Sequence, residues 1–171
     1  VRDTLRELSP AGDAVRLAWN PEFLREGFAV KDTLSPDRLV VGVDDPADAA
    51  ELATVYGPIL EQGMPWVVVD LATAQLVKNA ANAFLATKIS FINAMAELCE
   101  ATGADVVALA DAIGHDARIG RRFLQAGVGF GGGCLPKDLR GFMARAEELG
   151  VDQALAFLSE VDSINLRRRR R

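Results

Sequence analysis

The chain has 171 residues, of which half are hydrophobic and a quarter are charged, and its formal net charge is −5. This balance excludes a disordered or fibrous protein, and no apolar run reaches the roughly 20 residues that a membrane-spanning helix needs. Five of the 19 basic residues stand together at Arg167–Arg171, so the rest of the chain is strongly acidic. It lacks the basic face typical of nucleic-acid-binding proteins. The arginines are interpreted as the solvated face of a last helix, with a binding tail as the alternative.

Two cysteines, Cys99 and Cys134, stand far apart and give no disulfide framework. A reducing, cytoplasmic location is therefore expected. The single histidine, His115, has no cysteine within ligand spacing, so no metal site is expected. The first residues, Val1–Thr4, carry no signal peptide and no initiating methionine, and we expect the chain to be the middle of a longer protein.

Residues 1–70 are predicted to form the last part of an α/β domain. After a short helix at 1–8, apolar and β-branched runs at 15–19, 38–43 and 66–70 predict three strands. An amphipathic helix from 47 to 57 or 60 lies between the last two strands, and this order favours a parallel sheet. Three strands are too few to close a sheet, and no glycine-rich turn follows an early strand. The beginning of the domain is therefore expected to lie outside the chain.

The segment after the first predicted strand, residues 20–27, carries two glutamates. If this segment is helical, Glu22 and Glu26 lie on one face because they are four residues apart. The alternative is a solvated first turn with glutamates near a helix N-terminus. Residues 32–37 are predicted to form a loop that Ser35 and Pro36 close.

Residues 71–171 are predicted to be all-α. A helix from Leu71 to Thr102, with Thr73 as a plausible cap, contains no proline or glycine, and its apolar residues recur at near-heptad spacing. The apolar side chains therefore cover a broad stripe of the helix surface, which indicates burial against more than one partner. Cys99 lies within this stripe and is interpreted as a core residue. Further helices are predicted at 104–113, 121–126 and 139–149, and from 153 to at least 166.

Lys78 and Asn82 lie on one face of the long helix because they are four residues apart, and alanines surround them. A lysine is unusual on a mostly buried helix. The alternative is a lysine whose stem covers apolar surface while its amine reaches water. Lys88 is a similar polar interruption and is not chosen as a site residue.

The most informative stretch is the glycine-rich loop at 127–133, which leads into Cys134, Pro136, Lys137 and Asp138. Pro136 suits the first turn of a helix, so Cys134 is expected at the helix entrance, where free N–H groups and a nearby lysine favour a nucleophilic thiolate. One alternative is a dinucleotide fingerprint, which needs a strand before the glycines, whereas residues 121–126 suggest the end of a helix. Another is a flexible loop with a buried, inert cysteine.

Four stretches together resemble the family of nucleotide-sugar 6-dehydrogenases, the UDP-glucose/GDP-mannose dehydrogenases. They are residues 20–27 (NPEFLREG), 78–84 (KNAANAF), 118–120 (RIG) and 129–138 (GFGGGCLPKD). The resemblance implies an α/β remnant at 1–70, the last strands of a Rossmann-type NAD domain. It implies a long central helix and an all-α dimerisation domain at 71–171. The glycine-rich half of the NAD domain and the UDP-binding domain of the family are absent from these residues.

The resemblance implies oxidation of the 6-hydroxymethyl group of a UDP-sugar to a carboxylate, with NAD as the cofactor. UDP-glucose is the expected substrate, and GDP-mannose and UDP-N-acetylmannosamine are the alternatives. A homodimer through the helical domain is expected, without nucleic acid or membrane partners. An inactive helical dimerisation module is the expectation for the isolated fragment. A cysteine hydrolase is a weaker interpretation because His115 is the only histidine and lies on a turn.

The resemblance also implies roles for matched residues. Cys134 would form a thiohemiacetal with the aldehyde and then, after the second oxidation, a thioester. Lys78 and Asn82 would stabilise charge on the tetrahedral oxygen. Asp138 would position or activate water, and Glu22 would assist thioester hydrolysis.

The remaining matched residues would bind substrate or cofactor. Glu26 and Lys137 are the residues expected near the cofactor, and Arg118 would reach the substrate of the partner subunit. The full set implied to contact substrate is Phe23, Leu24, Glu26, Arg118, Phe130 and Gly131.

Overall fold

The computed structural model describes residues 1–170, and Arg171 lies outside them. Short 3-10 helices occupy Gly12–Ala14 and Asp152–Leu155. The other elements, in chain order, are α1 (Arg2–Leu8), β1 (Ala18–Trp19), α2 (Ala29–Leu34), β2 (Leu39–Val43), α3 (Pro46–Val55), α4 (Gly57–Leu60), β3 (Trp66–Val69), α5 (Leu71–Thr102), α6 (Val106–Gly114), α7 (Leu135–Glu148) and α8 (Phe157–Arg168). The chain divides into two compact units, the first ending at Lys78 and the second beginning at Asn79.

The first unit contains a three-stranded sheet in the order β1-β2-β3. Strands β2 and β3 are parallel, with Val41 opposite Val68, as the strand–helix–strand order predicts. Strand β1 pairs antiparallel with β2 through Ala18 and Val43, so the predicted parallel arrangement is wrong for this strand. Only two residues of the predicted strand at 15–19 enter the sheet.

The core of this unit lies on β2, all five residues of which are buried. Val41, Val43 and Ala49 form a cluster against which Trp66 packs. Gly42 lets α5 approach the strand closely, because a Cβ at Gly42 would lie 2.5 Å from the Cβ of Ala74. A continuously buried strand explains why this stretch of sequence is apolar rather than alternating.

Helix α5 begins after Asp70, which caps it. The Asp70 carboxylate accepts hydrogen bonds from the backbone N–H of Thr73 at 2.8 Å and from the Thr73 hydroxyl at 2.6 Å. These bonds lower the pKa of Asp70 because they stabilise its charged form. The cap is therefore Asp70 with Thr73 as its partner, rather than Thr73 itself.

In the described part of the second unit the regular elements are all helices, joined by irregular segments such as residues 115–134, and α5 has the bounds predicted for it. One apolar cluster joins α5, α7 and α8, and comprises Ala83, Ala86, Phe130, Leu139, Leu158 and Val161. A second cluster joins Ile92 to Ala110 and Leu124. Cys99 is buried, with 4% of its surface exposed, so its interpretation as core is confirmed.

Two local predictions are wrong. Residues 32–37 were expected to form a loop, yet residues 32–34 form the end of α2, where the buried Asp32 pairs with Arg25. Residues 121–126 were expected to be helical, yet they are irregular, and Phe123 has φ +65°, which a right-handed helix does not contain. Arg121 instead donates to the carbonyl oxygen of Leu124 at 2.7 Å.

Two terminal arginines have partners on α5. Arg167 pairs with Glu97 at 3.5 Å, and Arg168 pairs with Glu100 at 3.3 Å. Helix α8 thus includes the start of the arginine run, as predicted, but Arg168 is only 18% exposed and does not lie on a solvated face. None of the helices in the described part of the chain is long and apolar enough to cross a membrane.

Candidate functional site

The loop between β1 and α2, residues 20–28, carries four of the predicted site residues and is anchored at its start. Asn20 donates from Nδ2 to the carbonyl oxygen of Val40 on β2 at 2.7 Å, and its Oδ1 accepts a hydrogen bond from the Tyr56 hydroxyl at 2.5 Å. The Tyr56 ring lies 6.1 Å from the ring of Trp66 on β3. The sheet therefore fixes where this loop begins.

Two arginine contacts order the rest of the loop. The Arg25 guanidinium makes a bidentate pair with Asp32 at 2.6 and 2.9 Å, and the Arg25 backbone N–H donates to the same carboxylate at 2.9 Å. The hydrogen bonds from the Arg25 side chain and backbone lower the pKa of Asp32 to about 2. The Arg38 guanidinium lies 4.0 Å from the centre of the Phe23 ring, a cation–π contact.

Glu22 and Lys78, two predicted catalytic residues, form an ion pair within the first unit. The other carboxylate oxygen of Glu22 accepts a hydrogen bond from the backbone N–H of Leu24 at 2.8 Å. Both side chains keep contact with solvent, since 30% of Lys78 and 54% of Glu22 is exposed. The Lys78 amine is therefore paired with a carboxylate at a solvent-accessible position, which a substrate oxygen can also reach.

A pocket of about 250 Å³ opens beside this loop. Residues 20–25 form one wall, and parts of α2, residues 36–39 and Tyr56 form the others, so Glu22, Phe23 and Leu24 line it. Glu26 lies outside the lining, in an exposed turn. Because residues 20–25 are not helical, Glu22 and Glu26 do not share a helical face.

Cys134 lies in the second unit as the N-cap of α7, and its side chain is exposed. The backbone N–H of Asp138 donates to the Cys134 carbonyl oxygen at 2.9 Å, and Pro136 occupies the first turn. The predicted helix entrance is confirmed, and the alternative of a buried cysteine is wrong. No strand precedes Gly127 among residues 120–126, so the stretch does not fit a dinucleotide fingerprint.

Asn82 and Asp138 are in direct contact within the second unit, although 56 residues separate them in the chain. Asn82 Nδ2 donates to Asp138 Oδ2 at 2.7 Å, and Lys137 Nζ lies 2.8 Å from Asp138 Oδ1. Asp138 is buried, whereas Lys137 is largely exposed. An amide with a second N–H and a paired carboxylate can donate to an oxyanion and accept from water.

The two predicted sugar-site residues before Cys134 differ in exposure. Phe130 is buried in the cluster with Leu139 and Leu158, whereas Gly131 is exposed. The Phe130 side chain therefore packs in the core. The glycines that follow it have no side chains, so the backbone near Cys134 remains accessible to solvent. A Cβ at Gly131 or Gly133 would meet nothing within 4 Å.

Arg118 extends into solvent at the turn after α6, with 89% of its side chain exposed. It makes a bidentate pair with Asp116 at 2.6 and 3.0 Å, and this pairing lowers the pKa of Asp116. Lys88 on α5 supports the turn, since its Nζ donates to the carbonyl oxygens of Ile119 at 2.9 Å and Gly120 at 3.2 Å. Lys88 was not chosen from the sequence, yet it is the residue that ties this turn to α5.

The structure thus brings together Glu22 with Lys78 in the first unit, and Asn82 with Asp138 and Lys137 in the second. Sequence reasoning missed the supporting residues Asp32, Arg38, Lys88 and Asn165. A signal existed for Asn165, because it continues the buried register of Leu158 and Val161 on α8 as a polar residue. No such pattern marks Asp32 or Arg38. Within the described chain, no group of His, Cys, Asp and Glu residues could hold a metal ion.

Comparison with known proteins gives a consistent result for both units. Residues 72–167 match the central domain of the UDP-glucose/GDP-mannose dehydrogenase family, and residues 2–60 match the NAD binding domain of the same family. A UDP-glucose 6-dehydrogenase of Rickettsia typhi is 51% identical over 145 residues, which are 85% of this chain and 33% of that protein.

Solved structures give the same relationship. A UDP-glucose dehydrogenase from the archaeon Pyrobaculum islandicum matches with a TM-score of 0.80 and 43% identity, over 88% of this chain and 34% of that one. A GDP-mannose dehydrogenase from Pseudomonas aeruginosa matches with a TM-score of 0.54 and 31% identity, over the same shares. The chain spans about a third of the length of the curated relatives it matches. The chain belongs to the UDP-glucose/GDP-mannose dehydrogenase family.

Proposed function

We propose that the chain is part of an NAD-dependent dehydrogenase that oxidises UDP-glucose to UDP-glucuronate. The observation that carries the proposal is an exposed thiol at the start of α7, one helical turn from the Asn82–Asp138 pair. The names of the relatives support the substrate. Both cysteines are free, which is consistent with a reducing, cytoplasmic location.

The proposed chemistry has three stages. The primary alcohol at C6 loses a hydride and a proton and becomes an aldehyde. The Cys134 sulfur then adds to the aldehyde carbon, and the thiohemiacetal loses a second hydride and a proton to give a thioester. Water attacks the thioester carbonyl, the C–S bond breaks, and the carboxylate and thiol are released. Bound NAD would supply the hydride acceptor for both oxidations.

The other residues have supporting roles in this proposal. Lys78 and Asn82 stabilise negative charge on the substrate oxygen, as a cation and an amide donor can. Asp138 orients water, and Glu22 accepts a proton during thioester hydrolysis. Phe23, Leu24, Phe130 and Gly131 contact the nucleotide sugar, and Arg118 contacts the substrate of the partner subunit.

The described residues fit NAD only in part. The parallel pair β2–β3 and the loop at 20–28 are present, but no strand, glycine-rich turn and helix follow one another in residues 1–170 in the way that cradles a pyrophosphate. Glu26 and Lys137 are the proposed contacts to the cofactor, and Lys137 is an exposed cation suited to a phosphate. The remaining contacts would come from the rest of the enzyme.

We also propose a homodimer through the helical unit. Phe84, Phe91 and Leu98 recur every seven residues along α5 and remain 65%, 46% and 56% exposed. Large apolar side chains at this spacing are typical of a helix that packs against a partner. A dimerisation module without activity is the corresponding proposal for the isolated chain.

The test is made in the complete enzyme that contains these residues. The wild-type enzyme should form two NADH for each UDP-glucuronate, and Cys134→Ser should reduce acid formation to background because serine cannot form the thioester. Cys99→Ser is the matched control, since Cys99 is buried in the core and should leave acid formation intact. Acid formation by Cys134→Ser would refute the role of the thiol. Oxidation of GDP-mannose in preference to UDP-glucose would correct the substrate.

A further inference from the structure

Three side chains hold the backbone that leads to Cys134. Asn93 Oδ1 on α5 accepts a hydrogen bond from the Gly127 N–H at 2.9 Å, and Arg168 Nε on α8 donates to the Gly127 carbonyl oxygen at 3.0 Å. Asn165 on α8 makes two bonds to Phe130: its Oδ1 accepts from the N–H at 2.7 Å, and its Nδ2 donates to the carbonyl oxygen at 2.9 Å.

Asn165 is the central member of this group, because its Oδ1 and its Nδ2 both form hydrogen bonds with the backbone of Phe130. It is 1% exposed, so no water replaces those bonds. Gly129 is fitted to it, since a Cβ there would lie 2.3 Å from Asn165 Oδ1, and its φ of +91° also favours glycine. The loop and the asparagine are therefore matched in shape as well as in hydrogen bonding.

The position of Phe130 bears directly on Cys134. Only Gly131, Gly132 and Gly133 separate the two residues, and glycine gives the backbone little intrinsic restriction. The three glycines, Gly131–Gly133, are called the glycine bridge below. Its C-terminal end is fixed by α7, whose Leu139 packs in the same cluster as the Phe130 ring. A flexible segment of three residues stays ordered only if both of its ends are held.

We infer that Asn165 is a positioning residue that orders the glycine bridge and thereby places the Cys134 sulfur for addition to the aldehyde. This inference rests on the proposed function. Both side-chain hydrogen bonds of Asn165 go to the Phe130 backbone, so its action on the Cys134 sulfur is indirect. Because the Phe130 ring is also held by Leu139 and Leu158 in the apolar cluster, the effect of Asn165 should appear in turnover more than in substrate affinity.

The experiment compares Asn165→Ala and Asn165→Asp with Ser90→Ala in the complete enzyme. Asn165→Asp keeps the acceptor for the Phe130 N–H and loses the donor, and it carries the test if Asn165→Ala does not fold. Ser90 is the matched control, because it is equally buried and its hydroxyl donates to Val161 O on α8 at 2.7 Å, a hydrogen bond that does not involve the loop. The readouts are amide hydrogen exchange in the peptide 131–135 and the separate values of kcat and KM.

We expect Asn165→Ala to accelerate exchange in this peptide and to lower kcat by about 10–10²-fold with little change in KM, because misplacement of a reacting group acts on turnover. Asn165→Asp should give an exchange rate and a kcat between those of Asn165→Ala and the wild type. Ser90→Ala should match the wild type in both readouts. Unchanged exchange in both Asn165 variants, or faster exchange with unchanged kcat, would overturn the inference. If the wild-type enzyme does not reduce NAD with UDP-glucose, the proposed function fails, while the exchange comparison still decides whether Asn165 orders the bridge.

Discussion

The hydrogen bond between Asn82 and Asp138 predicts that substitutions of the two residues have coupled effects on kcat/KM. Asn82→Ala and Asp138→Ala each remove the 2.7 Å hydrogen bond from an amide to a buried carboxylate. A hydrogen bond to a charged group contributes about 1.5–3 kcal/mol, which corresponds to a factor of about 10–150 in rate at 1.36 kcal/mol per decade. Each single substitution should therefore lower kcat/KM by at least about tenfold.

The double variant should lose this bond only once. Its kcat/KM should be higher, by the same factor of about 10–150, than the product of the two single effects predicts. The assay is NADH formation by the complete enzyme with UDP-glucose, and circular dichroism verifies that each variant is folded. Thr87→Ala is the matched control, since Thr87 is half-buried on the same helix and bonds only within it, to Ala83 O at 2.8 Å. The effects of Thr87→Ala and Asp138→Ala should multiply.

The reasoning is refuted if the effects of Asn82→Ala and Asp138→Ala multiply to within about twofold, as independent sites do. In that case the observed hydrogen bond would not contribute to the transition state. Coupling between Thr87 and Asp138 of the same size would equally refute it, because it would arise from the helix and not from the bond.

Three further predictions follow from exposure and charge. Ellman's reagent should react quickly with Cys134 and at least about 10³-fold more slowly with Cys99, whose exposure requires unfolding; a fast phase that survives Cys134→Ser would contradict this. Because the pKa of Asp32 is lowered to about 2, its contribution to stability is complete above about pH 4 and is lost as the pH falls toward 2. Asp32→Asn should therefore flatten acid unfolding in that range, and an unchanged profile would exclude the pairing in solution. Phe91→Asp should dissociate the proposed dimer in sedimentation experiments, whereas Leu149→Asp, at a position 59% exposed outside the α5 stripe, should not; a dimer that survives Phe91→Asp would place the interface elsewhere.

Much of the helical framework could be predicted because its signals are local. The bounds of α5 match the prediction at both ends, since an uninterrupted apolar periodicity lies between Asp70 and Gly103. Pro136 and the preceding glycines likewise predict a loop followed by a helix, which places Cys134 at the helix entrance. The buried strand β2 was visible as a continuous β-branched run.

Only the tertiary structure decided which polar side chains hold the loops of the candidate site. The pairs Asn82–Asp138 and Asn165–Phe130 join residues 56 and 35 positions apart. Local propensity carries no information about such partners, and the end of α2 at residues 32–34 and the irregular segment at 121–126 were mispredicted as well. The sequence by itself determined where the chain is helical and which residues resemble a catalytic set. The folded chain determined how those residues are held, because burial makes each unpaired polar group costly and thereby selects one set of partners.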